Sequence, residues 1–385
     1  MRYRQFGKLD WRVSALGFGC MRFPTSGGHE HIDEAEATRM LHYAIERGVN
    51  YVDTAYPYHG GNSEPFLGRF LQQDGYRDKV RLATKMPSWD IEEAGDFDRY
   101  LNEQLERLRT DHIDFYLLHA LKEEWWRKLD RLGVLEWSER AQADGRIGAL
   151  GFSFHDEFSI FREIVDAYDW VLCQIQYNYM DVDNQAGTRG LEYAASKGIA
   201  VVIMEPLLGG RLVAPPEPIQ QIWNKAPLER KPADWALQWL WDKPEVAVVL
   251  SGMSAMNQVV ENVASANVSG VGTLSEEELA IVGEVRNSYR TLCPIPCTQC
   301  GYCMPCPHGV DIPQNLEIYN QGPMYDKPDQ ARQSYRFLAE DRRASACVAC
   351  RECEEQCPQS IPVSEWMVHV EEVLGQGAPY VCSLP

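Results

Sequence analysis

The stretch IDFYLLHALKEEWWRKLDRLGVLEWSERAQADGRIGALGFS, from Ile113 to Ser153, opens and closes on a short apolar run and carries helical spacing between the two. IDFYLLHA and IGALGFS have strand length, whereas GVLEWSERAQADGR repeats its apolar residues at helical period and stops beside a glycine. The same alternation extends in both directions. Toward the N-terminus lie SALGFG, VNYVDTA and VRLATK, and toward the C-terminus VLCQIQYN, IAVVIMEP and VAVVLSG, which brings the apolar runs to eight. Between the first two, DEAEATRMLHYAIERG starts on an acid and ends on a glycine, as a helix does. Strand followed by helix, repeated eight times, predicts a closed parallel (β/α)8 TIM barrel. The rival, an open doubly wound sheet, needs a glycine-rich phosphate turn after its first strand. GFGCMRF has no third glycine and opens no helix.

The 385 residues exceed the roughly 250 that a barrel needs and leave room for a second, smaller unit. A net charge of -19 excludes functions that depend on holding nucleic acid or an anionic membrane surface. The opening MRYRQFGKLDWRVSALGFG has a positive start without the apolar core of a secretion signal. No later stretch approaches the roughly 20 apolar residues of a membrane span. A soluble, cytoplasmic protein is therefore expected. In that reducing compartment the 12 cysteines are read as metal ligands where they cluster, not as a disulfide framework.

The ends of the runs are polar. The second ends in Asp53, the third in Lys85, the fourth in His119 and the fifth in Ser153, while the sixth carries Gln174. A barrel builds its active site from the carboxyl ends of its strands, so these groups are expected at one mouth. Any one of them alone is explained by a strand-end hydrogen bond or a salt bridge; five together are not.

DTAYPY with Asp53 and Tyr58, the lysine of ATK, the histidine of LLHA, then GFS, QIQYN and EPLLGG resemble the aldo-keto reductase family over about residues 1–290. The resemblance implies a (β/α)8 barrel, a bound NADP(H) or NAD(H), and reversible reduction of a small-molecule carbonyl to an alcohol. It places Asp53, Tyr58, Lys85 and His119 on the catalytic tetrad, and Ser153 and Gln174 where the nicotinamide amide is held. It also carries Met204, Leu207, Gly209 and Arg211 of MEPLLGGRL, with Ser251, Gly252, Gln258 and Asn262 of SGMSAMNQVVEN, onto dinucleotide-binding positions. The chain departs from the pattern in three places. Phe154 stands where an asparagine often follows GFS, and Met204 stands where a tyrosine often stacks on the nicotinamide. Gly252 and Gln258 occupy places that are basic in members preferring NADP, so neither nucleotide is favoured.

The chemistry can be reasoned without the resemblance. Hydride delivery to a carbonyl carbon leaves an alkoxide that needs a proton, so the site requires an acid beside the oxygen. A free tyrosine is a slow acid at neutral pH. An adjacent ammonium pulls its pKa down, and a carboxylate holds the ammonium in place. Tyr58, Lys85 and Asp53 supply these parts, and His119 would orient the carbonyl.

After residue 290 the character changes. CTQCGYCMPCP contains Cys297, Cys300, Cys303 and Cys306, and CVACRECEEQCP contains Cys347, Cys350, Cys353 and Cys357. The second run matches the bacterial ferredoxin spacing, and the first is one residue short before its last cysteine. Two 4Fe-4S clusters are expected in place of structural zinc, which usually pairs two short hooks across a longer loop. If the fourth cysteines exchange, Cys297, Cys300, Cys303 and Cys357 hold one cluster, and Cys347, Cys350, Cys353 and Cys306 the other. The spacers IPQNLEIYNQ and DQARQSYRFLAEDRR read as helices. Cys20 and Cys173 read as core thiols, and Cys293 and Cys382 as bystanders.

The expected organisation is a barrel over residues 1–289, a small, mainly helical ferredoxin-like domain over 290–372, and a loose tail over 373–385. Three functions fit it. The preferred one is a carbonyl reductase whose clusters are structural or redox-sensing. The second is an electron relay between a redox protein partner and the barrel. The third is a non-catalytic nicotinamide or redox sensor, against which the intact tetrad speaks. Trp125 and Trp126 are candidates for an apolar substrate wall, with core packing of their helix the alternative.

Overall fold

A computed structural model describes all residues except 298, 300, 358 and 382–385; the expected cluster ligand Cys300 and the bystander Cys382 lie outside the described residues. All eight apolar runs form strands of one closed barrel. In chain order they are β1 (Leu16–Gly19), β2 (Tyr51–Asp53), β3 (Arg81–Met86), β4 (Ile113–Leu121), β5 (Ile147–Phe154), β6 (Leu172–Gln176), β7 (Ala200–Met204) and β8 (Val246–Gly252). Every neighbouring pair is parallel, and β8 closes on β1 with Ser251 opposite Phe18 and Gly252 opposite Gly19. A short antiparallel hairpin, Tyr3–Gln5 with Arg12–Ser14, precedes the barrel.

Alternate residues of each strand face inward and fill the barrel in layers. Tyr51, Ala83, Phe115, Leu117, Ala149, Leu172, Ala200 and Val202 form that interior, with Phe6 from the hairpin packed among them. Space there is exhausted at Gly151, where a Cβ would stand 2.5 Å from Leu172 Cδ2. Two residues further along each strand, the inward positions turn polar: Asp53, Lys85, His119, Ser153 and Gln174. Apolar layers thus fix the strands, and the next layer up carries the chemistry.

The chain divides into two compact units, Met1–Gly209 with Ala233–Ser275, and Gly210–Pro232 with Glu276–Pro385. The second unit contains the helix Glu217–Trp223 from the segment after β7, the helix Glu276–Thr291, and the helices Ile312–Tyr325, Pro328–Arg336 and Val363–Val370. Ile295, Leu316, Tyr319, Tyr335, Trp366, Met367 and Leu374 build its core. Asp311 caps the helix Ile312–Tyr325 by accepting the Gln314 amide. The tail through Val381 is packed on this unit: the Tyr380 ring meets Tyr319 at a tilt, with 4.9 Å between ring centroids, and lies against the bare Cα of Gly322. The Val381 amide and carbonyl both bond to Tyr319 Oη. Among the described residues, no helix is long and apolar enough to cross a membrane.

Candidate active site and cluster domain

Lys85, next to last in β3, is fully buried and its ammonium is the hub of the barrel mouth. It donates to Asp53 Oδ1 at 2.6 Å, to the Thr54 carbonyl at 2.7 Å and to Tyr58 Oη at 3.4 Å. An ammonium has three N–H donors, and all three are used. Because Tyr58 Oη accepts from Lys85, its own hydrogen is free to point elsewhere. Tyr58 itself opens the 3-10 turn Tyr58–Gly61, whose other three residues, His59, Gly60 and Gly61, all have positive φ. His119 meets Tyr58 edge-on, with 6.1 Å between ring centroids, and Trp89 flanks His119 from another side at 5.1 Å.

Electrostatics follow from this burial. Desolvation opposes the Lys85 charge, but Asp53 and Tyr58 outweigh it and leave the ammonium held above its ordinary pKa. Burial lifts the Asp53 carboxyl, against the pull of Lys85. Burial, the Lys85 charge and the nearby His155 push His119 well below the ordinary histidine value, so its ring is neutral at pH 7. An ammonium alone would bring the Tyr58 phenol below its ordinary value, as expected from the sequence; the net direction is upward. Desolvation is the larger influence, and Lys85 offsets only part of it. Tyr58 is therefore firmly protonated, the state an acid must start from.

Behind Lys85 lies a second polar layer that the sequence did not reveal. Glu64, fully buried, accepts from Thr84 Oγ1 at 2.6 Å and from the Gln104 amide, while Gln104 also donates to the Lys85 carbonyl at 3.1 Å. Tyr116 Oη donates to Gln104 Oε1 at 2.7 Å. This layer fixes the Lys85 backbone from outside the barrel while Asp53 fixes its side chain from inside. Each of these residues looks like ordinary helix or strand composition in one dimension.

The expected nicotinamide residues Ser153 and Gln174 are direct register partners on β5 and β6. Ser153 Oγ accepts the Ala120 amide at 2.7 Å; Ala120 has a left-handed backbone (φ 52°), strain on the order of 1 kcal/mol stored beside His119. Gln174 Nε2 lies 3.7 Å from Met204 Sδ, and Gln174 Oε1 is buried without a hydrogen-bond partner among the described residues. An orphaned acceptor of this kind fits a carboxamide N–H, so the site suits a nicotinamide. Further round the mouth, Asn262 donates to Ser251 Oγ at 3.0 Å, and Gln258 Oε1 accepts the Ser254 amide at 2.8 Å. Gly252 is exposed beside the Arg22 side chain, and Leu207 and Gly209 lie in the turn after β7. Arg211 belongs to the second unit, where its guanidinium lies 5.9 Å from the Tyr325 ring centroid. Trp126 is core, edge-on to Trp170, whereas Trp125 lies between the Lys122 and Lys128 ammoniums.

In the second unit the thiols line two hollows. One, of about 340 Å³, is bounded by Cys347, Cys350 and Cys353 of the second run with Cys303 and Cys306 of the first. The other, much narrower, is bounded by Cys297 and Cys303 with Cys357. Among the described residues no three His, Cys, Asp or Glu side chains converge as on a single ion. The thiols ring cavity walls instead, a donor set that fits a cluster of iron and sulfide. Cys20 and Cys173 are buried in the barrel, and Cys293 Sγ rests 3.6 Å from Met324 Sδ.

Residues 15–287 match the aldo/keto reductase family, and residues 296–361 match a 4Fe-4S dicluster domain. L-galactose dehydrogenase of Arabidopsis thaliana is 30% identical over 318 residues, 74% of this chain and 95% of that protein. An uncharacterised oxidoreductase, YqkF, of Bacillus subtilis is 29% identical across 72% of this chain and 94% of its own length. The holo form of aldo-keto reductase AKR11C1 from Bacillus halodurans superposes with a TM-score of 0.62 at 28% identity, covering 74% of this chain and 96% of that one.

Proposed function

The chain belongs to the aldo/keto reductase family and is an oxidoreductase with a C-terminal 4Fe-4S domain; on that premise we propose that its barrel catalyses reversible carbonyl reduction with a nicotinamide nucleotide, while its second unit carries two clusters. The observation that carries the reading is the Lys85 ammonium, whose three bonds leave the Tyr58 hydrogen uncommitted.

When bound, the nucleotide supplies a hydride to the carbonyl carbon. The rest is done by this chain. Tyr58 Oη donates its proton to the carbonyl oxygen as negative charge develops there, and the Lys85 ammonium stabilises the phenolate left behind. Asp53 keeps Lys85 charged and in place. His119, neutral and wedged between Tyr58 and Trp89, orients the carbonyl oxygen. Ser153 and Gln174 hold the carboxamide, with Gln174 Oε1 as its acceptor. The nucleotide is NADP(H) or NAD(H), and Met204, Leu207, Gly209, Arg211, Ser251, Gly252, Gln258 and Asn262 are the candidate contacts along it.

For the clusters, the supporting observation is that each hollow mixes the two cysteine runs: Cys306 lines the hollow of the second run, and Cys357 that of the first. We assign Cys297, Cys300, Cys303 and Cys357 to one cluster and Cys347, Cys350, Cys353 and Cys306 to the other. A hydride moves two electrons and a cluster one, so the preferred role of the clusters is structural or redox-sensing. Transfer to a redox protein partner is the second reading, favoured by the exposure of Cys350.

Tyr58→Phe tests the barrel: carbonyl reduction should fall by a factor of about 10² to 10⁴ with nucleotide affinity retained, and unchanged turnover would refute the acid. Anaerobic titration with NADPH and then NADH, followed by electron paramagnetic resonance, tests the clusters. A reduced-cluster signal favours the relay; its absence with nucleotide bound favours the structural role.

A further inference from the structure

We propose that one face of the helix Gly95–Leu108, carrying Tyr100, Glu103, Gln104 and Arg107, sets the spacing between Tyr58 and Lys85, and that Glu103 and Arg107 are positioning residues for the acid. The inference rests on the carbonyl-reduction reading above and adds what holds its acid in place.

The spacing needs support from outside the barrel strands. Lys85 stands on β3, opposite Leu117 of β4. Tyr58 stands on no strand: it lies in the turn after β2, with its amide bonded to the Ala55 carbonyl at 3.2 Å. Its Oη accepts from Lys85 at 3.4 Å, the longest of the three ammonium bonds and at the outer edge of hydrogen-bond reach. A small shift of the turn therefore breaks the contact.

The helix grips this turn through Tyr56. Tyr100 meets the Tyr56 ring edge-on, with 5.1 Å between centroids, and the Arg107 guanidinium lies over the same ring at 4.0 Å. Tyr56 Oη donates to the Glu103 carboxylate at 3.2 Å, and Arg107 pairs with Glu103. A Cβ on Gly61, which closes the Tyr58 turn, would stand 3.8 Å from Arg107 Nη1. The guanidinium thus lies beside both ends of the segment that carries Tyr58.

The same face holds Lys85. Gln104 donates to the Lys85 carbonyl at 3.1 Å and to the Glu64 carboxylate, and Arg107 Nη1 donates to Glu64 Oε2 at 3.5 Å. Residues 100, 103, 104 and 107 follow the i, i+3, i+4, i+7 spacing of one helical face. Arg107 therefore joins the arm that holds Tyr58 to the arm that holds Lys85. The helix is itself closely seated, since Gly68 of the helix Ser63–Leu71 leaves no room for a Cβ beside the Arg107 carbonyl. In sequence, Glu103 and Arg107 read as an i, i+4 pair on a solvated face, a kind of contact that contributes little to stability. The Tyr56 hydroxyl seated on that pair is what ties it to the acid.

The test is Glu103→Leu in the full-length chain, with Tyr56→Phe as a milder variant that keeps the ring and removes the hydroxyl. Tyrosine labelled with carbon-13 at Cζ reports the Tyr58 phenol by NMR without any need for turnover. The Tyr58 signal is assigned by its absence in Tyr58→Phe, and Lys85→Met gives its position without the cation. Both variants should move the signal toward the Lys85→Met position, Glu103→Leu the further. With para-nitrobenzaldehyde, an electron-poor carbonyl that accepts hydride readily, kcat should fall about 10- to 100-fold, because misplacing a reacting group by about 1 Å has costs of that order. KM for the nucleotide should not change, and Glu103→Gln, which keeps an acceptor for Tyr56, should recover most of the lost kcat. A Tyr58 signal unmoved in Glu103→Leu overturns the inference whatever happens to turnover, since a merely stabilising contact would lower the melting temperature alone. A moved signal with unchanged kcat overturns the role in catalysis. If the unaltered protein reduces no carbonyl with NADPH or NADH, the reductase reading fails, and the Tyr58 signal still decides whether the helix sets the spacing.

Discussion

Lys85→Met removes the ammonium at the centre of the barrel mouth while nearly preserving side-chain volume. The partner left behind, Asp53, is buried, and its Oδ2 already has no hydrogen-bond partner among the described residues. Breaking one side of a buried ion pair costs about 3–5 kcal/mol, because the remaining charge is neither solvated nor compensated. At roughly 2–4 °C per kcal/mol for a domain of barrel size, the melting temperature should fall by about 10 °C. Activity should fall further, by about 10² to 10⁴, since the phenol loses the cation that stabilises its conjugate base. The double variant Asp53→Leu, Lys85→Met separates the two effects. Replacing both members of a buried pair with apolar groups is often close to neutral. Calorimetry should therefore show most of the lost stability regained, with carbonyl reduction still absent. If turnover returns with stability, the pair serves folding alone; if Lys85→Met retains full turnover, Tyr58 does not depend on it and the proposed acid is wrong.

The other tests address pH, the clusters and the tail. His119 has a depressed folded pKa, so the unfolded chain binds its proton first. Stability from neutral His119 is fully present above the ordinary value of 6.5 and is lost as pH falls below it. Denaturation across that range should show a slope of up to about 1.4 kcal/mol per pH unit from this residue, which His119→Asn should remove, leaving the smaller parts due to His59 and His155. Under the exchanged ligand sets, Cys306→Ser and Cys347→Ser should lose the same cluster, read as about half the iron and matching paramagnetic spectra; lesions in different clusters would restore simple run-by-run ligation. Gly322→Ala should evict Tyr380 from its place on the second unit, making the tail a substrate for carboxypeptidase, and continued resistance would show that Tyr380 does not secure it.

The barrel was legible because its signal is local and repeated. Each strand is a short run of Val, Ile, Leu and aromatics, and the inward parity that places Ala83, Leu117 and Leu172 in the core also places Lys85, His119 and Gln174 one layer higher. Asp53, Lys85 and His119 stood out for the same reason, as polar groups at the ends of apolar runs, whereas Tyr58, in the turn after β2, stood out only through the family motif. What remained hidden depends on long-range contact. The layer of Glu64 and Gln104 behind Lys85 has no spacing that marks it. The raised Tyr58 pKa is set by desolvation, and desolvation is a property of packing and not of neighbours in sequence. Trp125 and Trp126, adjacent in sequence, separate into a cation-flanked ring and a core ring, while Trp89, which no motif marks, joins Tyr58 against His119. The prolines at 294 and 296 show where a helix must stop, but not that Glu276–Thr291 clusters with the second unit.

That clustering, together with Gly210–Pro232, bears on how such a protein is cut, fused or inherited. The backbone passes from one unit to the other three times, at 209/210, 232/233 and 275/276, where a simple appended module would need a single passage. Lys225 pairs with Glu284, and Arg230 with Glu278, so the helix Glu276–Thr291 and the loop after β7 are fastened to each other by charge. A deletion made at the first cysteine run would keep that clasp but strip the core beyond it, and a graft of residues 276–385 onto another barrel would arrive without the loop its helix grips. The unit that carries the cysteine runs is thus sewn into the chain of the barrel through the loop after β7, and no single cut releases it whole.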